Sequence, residues 1–517
     1  MGNLNDFVTK NNPPAGVYLK ETHFQKPFFI YLFKENSYYN WIVLILCILE
    51  FIGFKMCYPY PDFFSDSYSY IFAAYAHLNV NIWPIGYSKF LLLFHILTHS
   101  AIALNFFQYL FFCLSSLFFI HTAIYFYPTG KLTRSILFLV LFLNPLPLYV
   151  ANYVSSDCLF ISLSLLWAAQ LLWVINRPRP VQMATIAITC FIAFTFRYNA
   201  MIYPLITALA YCWSKQGRLL KLTGCLVTPV ILIPFIIFSS KQAKSLTGVS
   251  QFPPILGGWQ WANNALYMRE HIMEDSAHFP SPQTEELDEI VRQYFRDVPY
   301  EYRNLSAYVA NFFIRQPEAP LKQYLFRHFR ESDMYSSVIA WGKVAPVFDA
   351  YGTFLIRRHP LAFARYYLLL NARNYFLPPL EKLEVYNLGT TVVWPVARFW
   401  FGFPKPTISS VSPGLQGKIL FLYPGLFLMA NVFFGIWIVK YFWPGVKPRI
   451  SSAESRTVVM WSIFIALNFF FSVFANIIVI RYEIFPMIML LWGGLLIKDL
   501  VEREMFLKMT EERLLNR

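Results

Sequence analysis

Charge is what this chain has least of. Only 14% of its 517 residues are Asp, Glu, Lys or Arg, against about 25% in an ordinary soluble protein, which excludes a water-facing exterior. Cysteine is missing where a framework would need it. All seven (Cys47, Cys57, Cys113, Cys158, Cys190, Cys212 and Cys225) fall in or beside apolar stretches, and none lies in 240–417. That excludes a disulfide scaffold there, and no Cys/His spacing resembles a zinc site. Nucleotide cradles are absent too: there is no P-loop, no GxGxxG, no GxSxG and no internal repeat. The polar start, about 40 residues long, has no cleavable-signal pattern before the first apolar run.

What fills the chain instead is apolar and aromatic: 57% hydrophobic residues, with 53 Phe, 33 Tyr and 14 Trp. A membrane-crossing helix needs about 20 mostly apolar residues. Ten segments qualify, at roughly 41–58, 101–126, 134–150, 156–176, 181–196, 198–214, 222–239, 418–441, 457–475 and 482–499. Asn144, Pro145 and Pro147 break the end of the third, and Arg197-Tyr198-Asn199 forms a turn between the fifth and sixth. The expectation is an all-α polytopic membrane protein with about ten spans. Its organisation is an N-terminal membrane module (1–240), an outer domain (241–417) and a C-terminal membrane module (418–517).

Lys and Arg exceed Asp and Glu by 43 to 29. Much of this surplus marks one set of short loops: Lys131 and Arg134, then Arg177 and Arg179, then Lys215, Arg218 and Lys221, then Lys440, Lys447, Arg449 and Arg456, and the tail with Lys498, Arg503, Lys508, Arg513 and Arg517. The alternate loops hold little beyond Lys55, Lys89, Arg197 and Arg481. The basic set faces the cytoplasm, with both termini inside and 58–100 and 240–417 outside. The surplus therefore points to a membrane and not to nucleic acid. The outer domain keeps further bases, among them Arg327, Arg330, Arg357, Arg358, Arg365 and Arg373. These either rest on anionic headgroups or hold a phosphate.

The first outer loop is amphipathic. Ser65 to Leu78 is expected to be a helix capped by Ser65, with Tyr68, Ile71, Phe72 and Tyr75 on one face. A turn at Trp83-Pro84 leads to a second, interfacial helix, Tyr87 to Leu97. In the outer domain, acidic helix formers cluster at 284–297, Gly257-Gly258-Trp259 marks a turn, and Leu361 to Phe376 reads as a basic, aromatic helix lying on the bilayer. Asn304-Leu305-Ser306 is a lone glycosylation sequon.

Ionisable groups at a membrane edge are costly and point to function. Asp62 and Asp66 stand in PDFFSDSYSY; they serve as helix caps and dipole partners, or Asp66 is a general base. Asp157 opens the fourth span, either capping it or facing Asp66 as a second carboxylate that binds acceptor or a divalent ion. Arg197 and Arg481 either snorkel or pair with phosphate. All are expected on the outer side, where two carboxylates and two arginines converge.

This pattern resembles the GT-C glycosyltransferases, membrane enzymes that use polyprenyl-phosphate-linked sugars, and within them the bacterial protein O-mannosyltransferases and the aminoarabinose transferase of lipid A. Their Asp-Glu-x-x-Tyr motif is matched by Asp66-Ser67-Tyr68-Ser69-Tyr70 at Asp66 and Tyr70, with Ser67 departing. Trp83-Pro84-Ile85-Gly86-Tyr87 partly matches the Pro-Pro-hydrophobic-Tyr stretch that follows. Asp157 matches an acidic residue opening the fourth span, Arg197 with Tyr203-Pro204 an Arg before a Tyr-Pro span, and Arg481, Tyr482 and Pro486 an Arg-Tyr-x-x-x-Pro pattern. The resemblance covers residues 40–240 and, loosely, the last three spans.

It implies a GT-C-like bundle with two amphipathic helices in its first outer loop and a mainly helical outer domain. It implies an inverting transfer in which Asp66 is the base and Arg197, Arg481 and Tyr482 hold the donor phosphate. Asp157, Asp62 and Tyr70 would bind the acceptor, which is a glycan, a lipid or a protein. No cofactor is required by these residues beyond room for Mg or Mn. The implied setting is a bacterial inner membrane with the site facing the periplasm. An O-antigen-type polymerase or ligase, a lipid-linked-glycan transporter and an inactive scaffold remain the other readings of the residues.

Overall fold

The computed structural model describes residues 27–127, 129–275, 278–303, 311–443 and 452–515. The sequon at 304–306 and Lys447, Arg449 and Arg517 lie outside them. Among the described residues the architecture is helical, without strands and with two isolated bridges. The helices that build the site are α1 (Ser37–Cys57), α2 (Ser65–Tyr75), α3 (Gly86–Leu97), α4 (Ala101–Phe126), α5 (Lys131–Phe142), α6 (Leu146–Asn152), α7 (Asp157–Asn176), α8 (Val181–Phe196), α9 (Tyr203–Trp213) and α10 (Arg218–Thr247). They continue with α11 (Leu256–Arg269), α12 (Pro282–Asp297), α13 (Pro320–His328), α14 (Met334–Arg358), α15 (Leu369–Phe376), α16 (Pro395–Phe401), α17 (Tyr423–Phe442), α18 (Ser452–Ala475) and α19 (Ile480–Leu515).

Eight helices among the described residues are long and apolar enough to cross a bilayer, so this is a multi-pass membrane protein. Eight of the ten expected segments coincide with them. The remaining two are α8 and α9, of 16 and 11 residues, about 24 and 17 Å long at 1.5 Å per residue. Arg197 is extended and Tyr198–Ile202 is a 3-10 turn, so the break at 197–199 consumes length that either helix would need. The third span is broken as expected, into α5 and α6, at 143–145.

Two spans are far more enclosed than the others: α7, 83% buried over its most apolar window, and α19, 89%. They form the middle of the main core. There Trp167 of α7 lies flat on Tyr203 of α9, ring centroids 3.9 Å apart.

A second core lies in the long segment between α10 and α17, built from α11, α12, α13 and α14 around Trp259, Leu266, Val291, Leu325 and Phe348. The acidic stretch is α12, as expected. The turn expected at Gly257-Gly258 is instead the first turn of α11. A Cβ on Gly258 would sit 1.9 Å from the Ala345 carbonyl oxygen, so Gly258 serves a close helix crossing. The expected outer domain also does not end at 417 as a unit. Leu383, Tyr386, Val393, Ala397, Trp400 and Ile408 bury themselves in the main core. This last stretch of the outer segment therefore belongs with the membrane bundle.

The expected helix at 361–376 is a continuous helical run from Pro360 to Phe376, relaxed by a π-turn at Ala364–Leu368. Its inner face grips the protein. Asn371 donates to the carbonyls of Ser472, Val473 and Asn476 and accepts from the Ile478 amide at 2.8 Å. That clamp fixes the connection between α18 and α19, three residues before Arg481.

Candidate functional site

The site is built where several chain breaks meet. After α1 the chain runs extended, and Asp62 pairs with Tyr153 as an isolated parallel bridge: its amide donates to the Asn152 carbonyl at 2.9 Å. This pins the start of α2 beside the start of α7. Ser65 does not cap α2. Phe64 is the capping position, and its amide donates to the Ser67 hydroxyl at 3.3 Å. Ser67 thus performs the reciprocal capping that an acidic residue at N3 often supplies. Asp66 falls in the first helical turn, where the helix dipole favours a carboxylate. The buried face of α2 carries Asp66, Tyr70, Ile71 and Ala74, while Tyr75, expected on one face with Tyr68, Ile71 and Phe72, is exposed. The second helix, α3, starts at Gly86, where a Cβ would sit 2.4 Å from the Thr195 hydroxyl oxygen, so only glycine fits this contact with the end of α8.

Four expected residues converge. The Arg197 guanidinium ion-pairs with Asp157, and Arg481 donates to the other Asp157 oxygen at 2.9 Å. One carboxylate therefore joins the N-termini of the two most enclosed spans to the α8–α9 break. A cation at the start of α19 opposes the helix dipole, and Asp157 compensates it. Tyr482 lies under both cations, 4.5 Å from Arg197 and 4.9 Å from Arg481. Tyr70 shares a 3.2 Å hydrogen bond with Ser156.

Three further groups were invisible in the sequence reading. Lys382 donates to Asp66 at 3.2 Å. Glu381 accepts from Arg481 at 3.4 Å and from Arg315 at 2.7 Å. Glu381 holds φ +55°, a left-handed conformation that costs a non-glycine residue about 1 kcal/mol or more. The one sequence signal was an adjacent opposite-charge pair after Pro378-Pro379 in an otherwise apolar stretch.

Burial alone would push the Asp66 carboxyl up. Lys382, Arg481 and Arg315 together outweigh it and hold the carboxyl below the ordinary carboxylate range, so it is ionised at neutral pH.

Asp62 is not part of this cluster. It lines neither chamber described below. It is buried, accepts the Asn387 amide at 2.8 Å, and burial pushes its carboxyl up to about 8. Asp62, expected to bind the acceptor, instead lies away from both chambers and ties the segment after α1 to 386–390.

A divalent cation does not fit these carboxylates. Ammonium and guanidinium groups occupy the positions beside Asp66 and Asp157 that a metal would take. Among the described residues no group of three or more His, Cys, Asp or Glu is arranged to hold a metal ion.

Two chambers open from the cluster. The smaller, about 400 Å³, is lined by Tyr70, Asp157, Arg197 and Arg481, with an apolar side made by Trp261, Phe471 and Phe474. The larger, about 710 Å³, is lined by Arg315, Glu381, Lys382 and a polar rim. Asp66, Ile82, Trp83, Leu256 and Tyr482 border both. None of the outer bases Arg327, Arg330, Arg357, Arg358, Arg365 or Arg373 borders either. Arg327 pairs with Glu286 and Arg358 with Glu274.

No protein-family model matches the chain, and comparisons with curated proteins and with solved structures return no match.

Proposed function

We propose that this protein is an integral-membrane inverting glycosyltransferase of GT-C type, moving a sugar from a polyprenyl-phosphate donor to an acceptor hydroxyl on the periplasmic face of a bacterial inner membrane. The observation that carries this reading is the position of Asp66, an ionised carboxylate bordering two chambers with different charged groups. One chamber pairs two arginines with apolar walls, as a lipid phosphate requires. The other sets Arg315, Lys382 and Glu381 among hydroxyl-bearing and aromatic side chains.

The donor phosphate sits against Arg197 and Arg481, with the prenyl chain along Phe471 and Phe474. Cations of this kind are worth most where charge develops on the departing phosphate. The acceptor oxygen attacks the anomeric carbon from the Asp66 side. A C–O bond forms there as the bond from that carbon to the phosphate oxygen breaks, and its electron pair leaves with the phosphate. The acceptor proton passes to Asp66. Asp157 touches neither substrate in this scheme; it orients the two arginines. The charges nearest the site are four cations (Arg197, Arg315, Lys382, Arg481) and three anions (Asp66, Asp157, Glu381), a surplus suited to one anionic ligand.

The test is consumption of polyprenyl-phosphate sugars by the full chain in lipid nanodiscs. Turnover that falls by about a hundredfold or more in Asp66→Asn supports the reading. Wild-type turnover in that variant removes Asp66 as base, and no consumption of any such donor removes the activity.

A further inference from the structure

The transfer chemistry uses only one end of the larger chamber. Elsewhere that chamber carries an aromatic plate. Trp394 is 50% exposed and lies on Tyr68 with ring centroids 4.6 Å apart and planes 3° from parallel. Tyr68 stacks in turn on Phe63, at 5.7 Å and 6°. Phe63 and Tyr68 are buried, so Trp394 is the open end of a three-ring stack. Tyr68 stands on α2 two residues beyond Asp66, about half a helical turn, so one rigid helix carries both the plate's support and the carboxylate. A second indole, Trp341, also lines the chamber. It carries the Lys322 ammonium 4.1 Å over its ring. The Trp341 indole N–H and one Glu331 carboxylate oxygen are buried without a partner among the described residues.

We infer that this chamber binds the end of a glycan, with one pyranose lying on Trp394 and a hydroxyl of the chain at Asp66. This rests on the transferase reading and names what that reading leaves open, the class of acceptor. A pyranose has a flat face of polarised C–H bonds, which an indole face attracts, and a rim of hydroxyls that both donate and accept. The chamber supplies the matching set: a flat aromatic plate at Trp394, a donor at Lys322 and an acceptor at Glu331. A hydrocarbon acceptor would leave Glu331 and Lys322 desolvated without partners. A peptide binds through its backbone, and no strand edge lines the chamber among the described residues. The volume, about 710 Å³, is in the range of sites for ligands larger than one sugar ring.

The experiment measures equilibrium binding of fluorescently end-labelled oligosaccharides, three to five sugars long and built from glucose, mannose, galactose or N-acetylglucosamine, to the full chain in nanodiscs. At least one is expected to bind saturably in the micromolar to millimolar range. Trp394→Ala should weaken it about tenfold. Trp394→Phe, which keeps a plate, should retain most of the affinity and so excludes misfolding as the cause. Trp443→Ala, a distant exposed indole, should bind as wild type. The inference is overturned if no oligosaccharide binds, if Trp394→Ala binds as wild type, or if only a hydroxyl-bearing peptide or a lipid competes for the site. Donor consumption is followed in parallel. Turnover with a peptide or lipid acceptor but not with a glycan sinks this inference alone. Saturable glycan binding with no donor consumption sinks the transferase reading and leaves the glycan site standing.

Discussion

The Lys382 ammonium stands 3.2 Å from the Asp66 carboxylate, although 316 positions separate the two residues in the chain. The outer segment therefore supplies the counter-ion of the proposed base. Removing it by Lys382→Met takes away the strongest attraction holding the Asp66 carboxyl down. The acid limb of kcat/KM against pH is then expected to move to higher pH, by about one unit or more. Below the shifted value the variant loses activity that the wild type keeps. Stability follows the same sign. A depressed folded pKa contributes above the ordinary carboxylate pKa and is lost as pH falls through the folded value, so the two melting temperatures should converge in acid. An unmoved acid limb would show that Lys382 does not set the charge of Asp66.

Asp157 braces two guanidinium groups at once. Asp157→Asn strands the Arg197 guanidinium and leaves Arg481 only its 3.4 Å ion pair with Glu381, and removing one member of a buried ion pair costs about 3–5 kcal/mol. The expected result is a melting temperature in detergent lower by several degrees and a raised KM for the donor. Arg197→Gln removes one cation and leaves the Asp157–Arg481 pair, so it should melt closer to wild type while still raising donor KM.

Asp62 predicts the opposite behaviour. Its folded pKa, about 8, lies above the unfolded value. Its burial therefore costs nothing below the unfolded pKa, and the charged form becomes an increasing burden as pH rises toward 8. Asp62→Asn keeps the acceptor for the Asn387 amide. It should match wild type near pH 4, melt higher at pH 8, and leave turnover intact. Loss of turnover with an unchanged melt would place Asp62 in the chemistry after all.

Gly258 tests the second core. An added methyl meets the Ala345 carbonyl of α14, and backbone cannot move aside as a side chain would. Gly258→Ala is expected to destabilise the second core by about 1–3 kcal/mol or more, read as faster proteolysis of α11 and α14 with the membrane bundle protected.

The membrane helices were legible because hydrocarbon demands long apolar runs, and Ala101–Phe126 matches its expected bounds to the residue. Where length was rationed by a polar break, as at Arg197, apolar composition alone suggested two further full spans. Asp66, Asp157, Arg197 and Arg481 were legible because a charge at a bilayer edge is expensive and each stands beside a helix end. Lys382, Glu381 and Arg315 were not. They lie in irregular outer segments with no periodicity to reveal a face, and only tertiary packing brings them to Asp66. The glycines at 257 and 258 misled for a related reason: glycine marks either a turn or a close crossing, and only the partner helix decides which.

Tyr482 borders both chambers and carries the Arg197 and Arg481 guanidinium groups over its ring. Under the proposed transfer, a wall shared in this way is where donor and acceptor binding would be coupled. If donor binding settles that ring and thereby tightens the acceptor by some factor, the acceptor must tighten the donor by the same factor. Such coupling would favour the complex in which both partners are present and leave a lone donor loosely held, a safeguard against its wasteful hydrolysis.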